Sequence, residues 1–310
     1  MKTSLKKLTP LVICAVVFSL ILCCLCGCSS KQETTTKQNS QQTTTKQSTQ
    51  QTITKQNASG TLKAHFIDVG QGDSEFLELP DGKTMLIDAG EWDQADTVKS
   101  YIKKLGYSKI DYVVATHPHS DHIGAMADVI KAFDIGEFWA PKVSHNTSTY
   151  EKMLDAIADK GLQINTAVRG KSIYNAQGCS IEILSPFENT DYDNLNDWSV
   201  ILKVVFGSDS LLFTGDASSS VIETAQAGQV NVLKVGHHGS KTSTTNELVS
   251  SLSPQWAVIE VGTDNDYGHP TKKALNALEK YKVTVYRTDL NGTCVATCDG
   301  SSISWTTEKS

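Results

Sequence analysis

Beyond residue 28 the sequence is short of the features that usually fix a class. Five of its eight cysteines (Cys14, Cys23, Cys24, Cys26 and Cys28) lie in the first 28 residues, leaving Cys179, Cys294 and Cys298. Cys294 and Cys298 fall on one expected strand, about 13 Å apart by the strand rise, too far for a disulfide. None of the three has the paired spacing of a zinc ribbon, so they read as small buried hydrophobes. No apolar run of spanning length follows Cys26. An excess of base is also missing: 28 Lys and Arg stand against 34 Asp and Glu, a net charge of −6. Such a surface repels nucleic acid at long range, so any contact with it must come from a local patch. Pro118, Ser120 and Gly124 make no nucleophile elbow, and serine-based catalysis is unsupported.

The single long apolar run is Leu11 to Cys26, behind the basic residues Lys2, Lys6 and Lys7. It is short for a spanning helix and of the right kind for a signal peptide, although an uncleaved membrane anchor is the alternative. It ends in Leu25-Cys26-Gly27-Cys28, which resembles a bacterial lipobox, with Cys26 where Ala or Ser is usual. The resemblance implies removal of residues 1–27, a lipid on Cys28, and a chain held on the extracellular face of the cell membrane. Residues 28–60 repeat Thr34-Thr35-Thr36-Lys37-Gln38 at Thr43–Gln47 and, as Thr-Ile-Thr-Lys-Gln, at Thr52–Gln56. With almost nothing apolar to bury, this segment is expected to be a disordered linker. It would let a domain roam about 30 Å, a suitable spacer across a thick cell wall. Residues 61–310 remain as one domain.

Three imidazoles and a carboxylate crowd into Thr116-His117-Pro118-His119-Ser120-Asp121-His122-Ile123-Gly124. His117 and His119, two apart on a turn leaving strand Tyr112–Ala115, can converge on one metal. Asp121 and His122 add an oxygen and a nitrogen ligand, a mixture that borderline divalent metals accept.

Alternation predicts strands at Leu62–Asp68, Ser74–Leu79 and Thr84–Asp88. Helices are expected over Ala95–Leu105, Ala125–Phe133 and Tyr150–Lys160, around a short strand at Phe138-Trp139. The second half predicts strands at Cys179–Leu184, Val200–Phe206, Leu211–Thr214, Asn231–Val235, Trp256–Val261, Val283–Arg287, Gly292–Cys298 and Ser302–Trp305. Its helices are expected at Ser219–Ala227, Asn246–Leu252 and Thr271–Tyr281. Two β-rich halves with interspersed helices suggest two packed sheets with helices outside, an α/β (α+β) four-layer αββα sandwich.

The H-x-H-x-D-H pattern resembles the metal motif of the metallo-β-lactamase fold family. Further motifs narrow the resemblance: His65-Phe66-Ile67-Asp68-Val69-Gly70-Gln71-Gly72-Asp73, Thr214-Gly215-Asp216, Val235-Gly236-His237-His238-Gly239-Ser240, Tyr267-Gly268-His269-Pro270 and Tyr286-Arg287-Thr288-Asp289. Together they are similar to the extracellular metallo-β-lactamase-like domains of the ComEC family of competence DNA-uptake proteins and their stand-alone relatives, from about residue 62 to 305. The resemblance implies the αββα architecture and two divalent metals, zinc or manganese. It implies His117, His119, Asp121, His122, Asp216, His237 and His269 as ligands, with Asp216 bridging. Of His237 and His238, adjacent side chains on extended backbone would face opposite ways. We assign His237 to the metal and His238, with Asp121, to acid–base work or phosphate contact, although nothing local decides between the faces. Asp68 and Asp88 resemble carboxylates that orient ligand imidazoles. Gln71, Asp73, Ser199 and Lys241 are expected to touch substrate, and Lys234, Lys272 and Lys273 to add local positive charge. His65 and His145 match no motif.

One departure concerns the metals. Many hydrolases of this fold carry another histidine between the first motif and the bridging aspartate. Here Asn196-Asp197-Trp198-Ser199 stands in that region, and His145 comes too early. Fewer nitrogen ligands make manganese plausible beside zinc. The expected function is a metal-dependent hydrolase, a phosphodiesterase or nuclease acting outside the cell on phosphodiester or nucleic-acid substrates. A β-lactam or lactone hydrolase and a non-catalytic tethered binding lipoprotein are the alternatives. No protein partner can be inferred.

Overall fold

The computed structural model describes residues 58–310. The expected signal peptide, Cys28 lipobox and nearly all of the linker lie outside the described residues. In chain order the strands are β1 (Leu62–Phe66), β2 (Glu75–Glu78), β3 (Thr84–Ile87), β4 (Lys109–Val114), β5 (Asp134–Ala140), β6 (Ile164–Thr166), β7 (Ser172–Ala176), β8 (Cys179–Ser185), β9 (Ile201–Phe206), β10 (Asp209–Phe213), β11 (Val232–Lys234), β12 (Trp256–Ile259), β13 (Thr284–Arg287), β14 (Cys294–Cys298) and β15 (Ile303–Thr307). The helices are α1 (Ala95–Lys104), α2 (Ser120–Ile123), α3 (Met126–Ala132), α4 (Ser148–Asp159), α5 (Ser219–Ala225), α6 (Asn246–Leu252), α7 (Lys272–Lys280) and α8 (Thr288–Asn291).

The strands form two sheets, of order β15-β14-β1-β2-β3-β4-β5-β6 and β13-β12-β11-β10-β9-β8-β7. One apolar cluster lies between them, with Phe66 stacked on Phe213 at 5.8 Å between ring centres. A second cluster joins the first sheet to α1, α3 and α4, and a third joins the second sheet to α5, α6 and α7. This is the expected four-layer αββα sandwich. Cys179, Cys294 and Cys298 are free and buried, the last two on β14.

Some elements differ from expectation. The short strand at Phe138-Trp139 is the seven-residue β5. β6 and β7 were not anticipated, because Ile164–Thr166 and Ser172–Ala176 are polar and partly exposed, with little alternation. Turn chemistry held better: around Pro80-Asp81-Gly82-Lys83, Glu78 pairs with Thr84 and Lys83 N–H closes on the Asp81 carboxylate.

Each half runs antiparallel and then parallel. β3, β4, β5 and β6 are parallel neighbours, as are β10, β11, β12 and β13. The segments after β3, β4, β10, β11 and β12 carry Asp88, the histidine motif, Asp216, the His237-His238 pair and His269 respectively. Carboxyl ends of parallel strands are where open α/β sheets place their ligands.

Candidate metal centre

Three turns interlock beneath the site. Gly72, at φ +150°, is forced to be glycine, since a Cβ would come within 2.4 Å of the Asp121 carbonyl. Asp73 N–H donates to that same carbonyl at 3.1 Å, and Ala89 N–H donates to the His122 carbonyl at 2.8 Å. Val200 N–H reaches the Thr116 carbonyl at 3.0 Å and ties the second sheet to the motif turn.

His117 and His119 converge: Nε2 of the first lies 3.1 Å from Nδ1 of the second. His122 is buried and donates from Nδ1 to Asp88 Oδ2 at 2.7 Å. Asp88 is itself held by the Thr116 N–H at 2.8 Å and the Thr116 hydroxyl at 2.6 Å. With Nδ1 so occupied, His122 Nε2 faces Asp216 Oδ1 at 3.2 Å. Asp216 is buried, its N–H fixed by Ser199 Oγ at 3.0 Å, and its other oxygen lies 3.6 Å from His237 Nε2.

The His237-His238 pair is not extended. Gly236–Gly239 forms one tight turn in which both histidines are left-handed, at φ 52°. That conformation costs a non-glycine residue roughly 1–2 kcal/mol and is kept where the surroundings demand it. Its effect here is to bring both rings toward the site, 6.1 Å apart. The face argument therefore fails, and the assignment shifts. His238 Nε2 lies 3.2 Å from Asp121 Oδ2 and joins Asp121, His122 and Asp216 as four residues whose ligand atoms are all within 4.8 Å. His237 sits at the edge of that group, beside Asn196 Nδ2 at 3.3 Å and 5.5 Å from the His269 ring.

Other expected contacts fall elsewhere. Asp68 orients no imidazole: it accepts the Gly70 N–H at 3.3 Å and meets Lys309 Nζ at 3.1 Å, as a turn former does. Asp73 is buried with Lys234, 3.2 Å from His238 Nδ1, and out of reach of substrate. Ser199 is also buried, supporting Asp216 instead of substrate. Lys241 is exposed outside the cavity, its carbonyl accepting from Lys273 Nζ at 3.1 Å. Lys234 is fully buried and gives no surface charge. Sequence reasoning gave Asn196 no contact with the site and read Lys234 as surface charge. The second carried a signal: a lysine in the central parallel strand β11, between strands on both sides, has no route to solvent.

The electrostatics are those of a site awaiting cations. Burial alone would lower the pKa of His122, but Asp216, Asp73, Asp121 and Asp88 outweigh it and hold the value well above normal. His238 is pushed up to about 10 against the same burial penalty, chiefly by Asp216 and Asp73. His269 is lowered to about 4 by burial and by the neighbouring His237 and His238, so it stays neutral with a free lone pair. His122 Nε2 and Asp216 Oδ1 are buried with no hydrogen-bond partner among the described residues. Two orphaned atoms facing each other across an imidazole–carboxylate cluster fit a divalent cation. Asp121, His122 and His238 would hold one ion, and His117 and His119 a second, with Asp216 shared. Above them opens a cavity of about 650 Å³ whose lining includes Gln71, Asp121, Asn196, Tyr267 and His269. His145 stands at its wall, its ring 6.0 Å from that of His119.

Imidazoles and carboxylates gathered at the strand ends of an αββα sandwich define a class whose members are usually metal-dependent hydrolases. The chain belongs to the metallo-beta-lactamase superfamily, whose family model matches residues 67–268. It is similar to ComE operon protein 3 of Bacillus subtilis, 33% identical over 248 residues, covering 73% of this chain and 32% of that protein. Recombination protein 2 of Haemophilus influenzae is 29% identical over 239 residues, covering 75% and 28%. The chain thus spans about a third of the length of these relatives. Among solved structures, the metallo-beta-lactamase fold protein YhfI from Bacillus subtilis superposes with a TM-score of 0.51 at 10% identity, covering 79% of this chain and 100% of that one. CmlA, a diiron beta-hydroxylase from Streptomyces venezuelae, gives 0.52 at 15% identity, covering 78% and 55%. At such identities the likeness is one of fold.

Proposed function

We propose that the protein is a metal-dependent phosphodiesterase acting on nucleic-acid-like substrates outside the cell. The observation that carries the reading is the charge of the cavity. Among the described residues no lysine or arginine lines it, and cations held at the imidazole–carboxylate cluster would draw an anionic ester in. Two divalent ions there, zinc or manganese, would leave the site net positive, lower the pKa of an attacking water and neutralise charge developing on phosphorus. Asp216 keeps one oxygen toward His122 and the other toward His237. Asp121, partly exposed at the cavity floor, is the carboxylate placed to take the proton of the attacking water, with His238 hydrogen-bonded behind it. Gln71 and Asn196 offer amides to the ester oxygens. The similarity to a recombination protein and to the competence protein ComA of Neisseria gonorrhoeae supports a nucleic-acid substrate.

Asp216→Asn keeps the shape and removes the charge. Turnover of bis-p-nitrophenyl phosphate and of single-stranded DNA, with manganese or zinc, should fall on the order of 10³-fold or more while circular dichroism stays unchanged. A folded variant as active as wild type sinks the two-metal reading. Wild type that opens nitrocefin but leaves phosphodiesters intact moves the reaction to a lactam hydrolase.

The tether is part of the proposal, motivated by Leu25-Cys26-Gly27-Cys28 after the apolar run. Cys28→Ala should shift the protein from the membrane fraction to the medium or leave it unprocessed. Wild type recovered without lipid and with Lys2 intact would remove the anchor.

A further inference from the structure

Behind the site lies a group of charges that the proposed chemistry does not use. Lys234 on β11 is completely buried, and so are Asp73, Glu75 and Glu260 around it. Lys234 Nζ contacts Asp73 Oδ2 directly. Asp73, Glu75 and Glu260 each place a carboxylate oxygen within 4.8 Å of the others. Burial alone would discharge Lys234, but Asp73, Glu75 and Glu260 outweigh it and keep the ammonium charged. Two carboxyl oxygens, Glu75 Oε2 and Glu260 Oε2, have no hydrogen-bond partner among the described residues.

Enclosing three carboxylates with one ammonium is a poor way to stabilise a fold, since desolvation consumes most of the attraction. The contacts of the group indicate its use. Asp73 Oδ1 lies 3.2 Å from His238 Nδ1, and Asp73 Oδ2 lies 3.6 Å from His122 Nδ1. The Glu260 carbonyl accepts from His238 Nδ1 at 2.9 Å. Both rings therefore turn Nδ1 toward the buried acids and Nε2 toward Asp216. A nitrogen that donates at one side of the ring leaves a lone pair at the other, which is what a cation requires. Burial pushes the Glu75 and Glu260 carboxyls above the usual range, Glu260 to about 7, which leaves Asp73 as the acid that Lys234 contacts.

We propose that Lys234 is a positioning residue: by pinning Asp73 between the His122 and His238 rings, it fixes the tilt of both and so sets the affinity of the site for divalent cations. This rests on the reading that the site holds metal.

The test uses the full chain and two variants. Lys234→Met keeps the length of the stem and removes the charge. Lys234→Met combined with Glu75→Gln also removes one carboxylate that touches neither ring, which relieves the imbalance and protects folding. Zinc and manganese affinities are measured by competition with a chromophoric chelator. Hydrogen bonding at the imidazole Nδ1 atoms of the metal-free protein is read from ¹⁵N shifts. The double variant, folded by circular dichroism, should bind zinc about 10–100-fold more weakly. Its His238 Nδ1 signal should move from the wild-type position. A folded double variant with wild-type affinity and wild-type imidazole shifts overturns the proposal. Failure of both variants to fold also overturns it, because the cluster is then structural. Wild type that binds neither metal sinks the metal reading instead, and the Nδ1 shift in the metal-free variant still reports whether Lys234 acts on the rings.

Discussion

His65 is one of the two histidines that the sequence gives no part in metal binding. It is buried on β1 between Tyr101 Oη at 2.8 Å and Glu78 Oε1 at 3.0 Å. Burial lowers its pKa despite the pull of Glu78. A histidine with a depressed folded value stabilises fully above the unfolded value of about 6.5 and loses that contribution as pH falls below it. Glu78, held below the usual range by Tyr107, Lys63 and His65 despite its burial, adds a second loss at lower pH. Thermal melts of wild type should therefore drop from about pH 6.5 downward. His65→Gln keeps a donor and cannot titrate, so its first drop should be shallower than that of wild type. Parallel curves for the two proteins would show that His65 is not the titrating group.

At this scale the site divides into legible and hidden parts. The ligand-bearing motifs stood out because imidazoles are scarce and were clustered. Asp68 and Asp88 looked alike in sequence, each ending an expected strand before a glycine-rich turn. What separates them is the next strand along: β4 runs beside β3 and brings Thr116 and His122 to Asp88, whereas the Asp68 carboxylate meets its own turn at Gly70 and Lys309. Ser199 and Asp73 were placed in contact with substrate because they lie near motifs. Depth below a surface is a property of packing that sequence proximity does not carry.

Among the elements, the left-handed turn at Gly236–Gly239 and helix α7 form one unit. Thr271 caps α7, accepting from the Ala274 N–H at 3.3 Å, while its own N–H and hydroxyl donate to the Gly239 carbonyl at 2.9 and 3.0 Å. Gly239 is at φ +81°, and a Cβ there would lie 2.6 Å from the Pro270 side chain. Gly239→Ala should destabilise the protein by at least about 1 kcal/mol from backbone strain alone, with the clash adding to it. The clash would also displace the turn that holds His237 and His238, so metal affinity should fall with stability in the same titration. A variant as stable as wild type would show that the turn yields without cost. The sequence showed glycines flanking two histidines but not the hand of the backbone between them, because the surroundings impose that conformation.

For the whole molecule, the candidate ligands come from both halves: His117, His119, Asp121 and His122 follow β4 of the first sheet, while Asp216, His238 and His269 belong to the second. Metal bound only by the folded protein should staple the sheets together. At a free concentration 1,000-fold above the dissociation constant it would add about 4 kcal/mol. Removing it with a chelator should lower Tm, and restoring zinc or manganese should recover it. An unchanged Tm, with elemental analysis confirming removal, would argue that the site contributes nothing to holding the halves together. The sandwich itself was readable from the alternation of its strands. The pairing of β14 with β1 was not, since no local pattern announces a partner at the far end of a chain.

That pairing bears on how the molecule is made. β1 is an interior strand whose outer neighbour, β14, is made long after it, and Asp68 N–H reaches Thr293 Oγ1 across 225 residues. At about 5–20 residues per second, a ribosome needs some ten seconds or more to supply the missing strand. Until then β1 offers a bare edge, and the apolar face meant for Cys294, Ala296 and Cys298 is uncovered. The domain must spend its early life as an unfinished sheet open to the wrong partners, and that sheet closes only after β14 has been made.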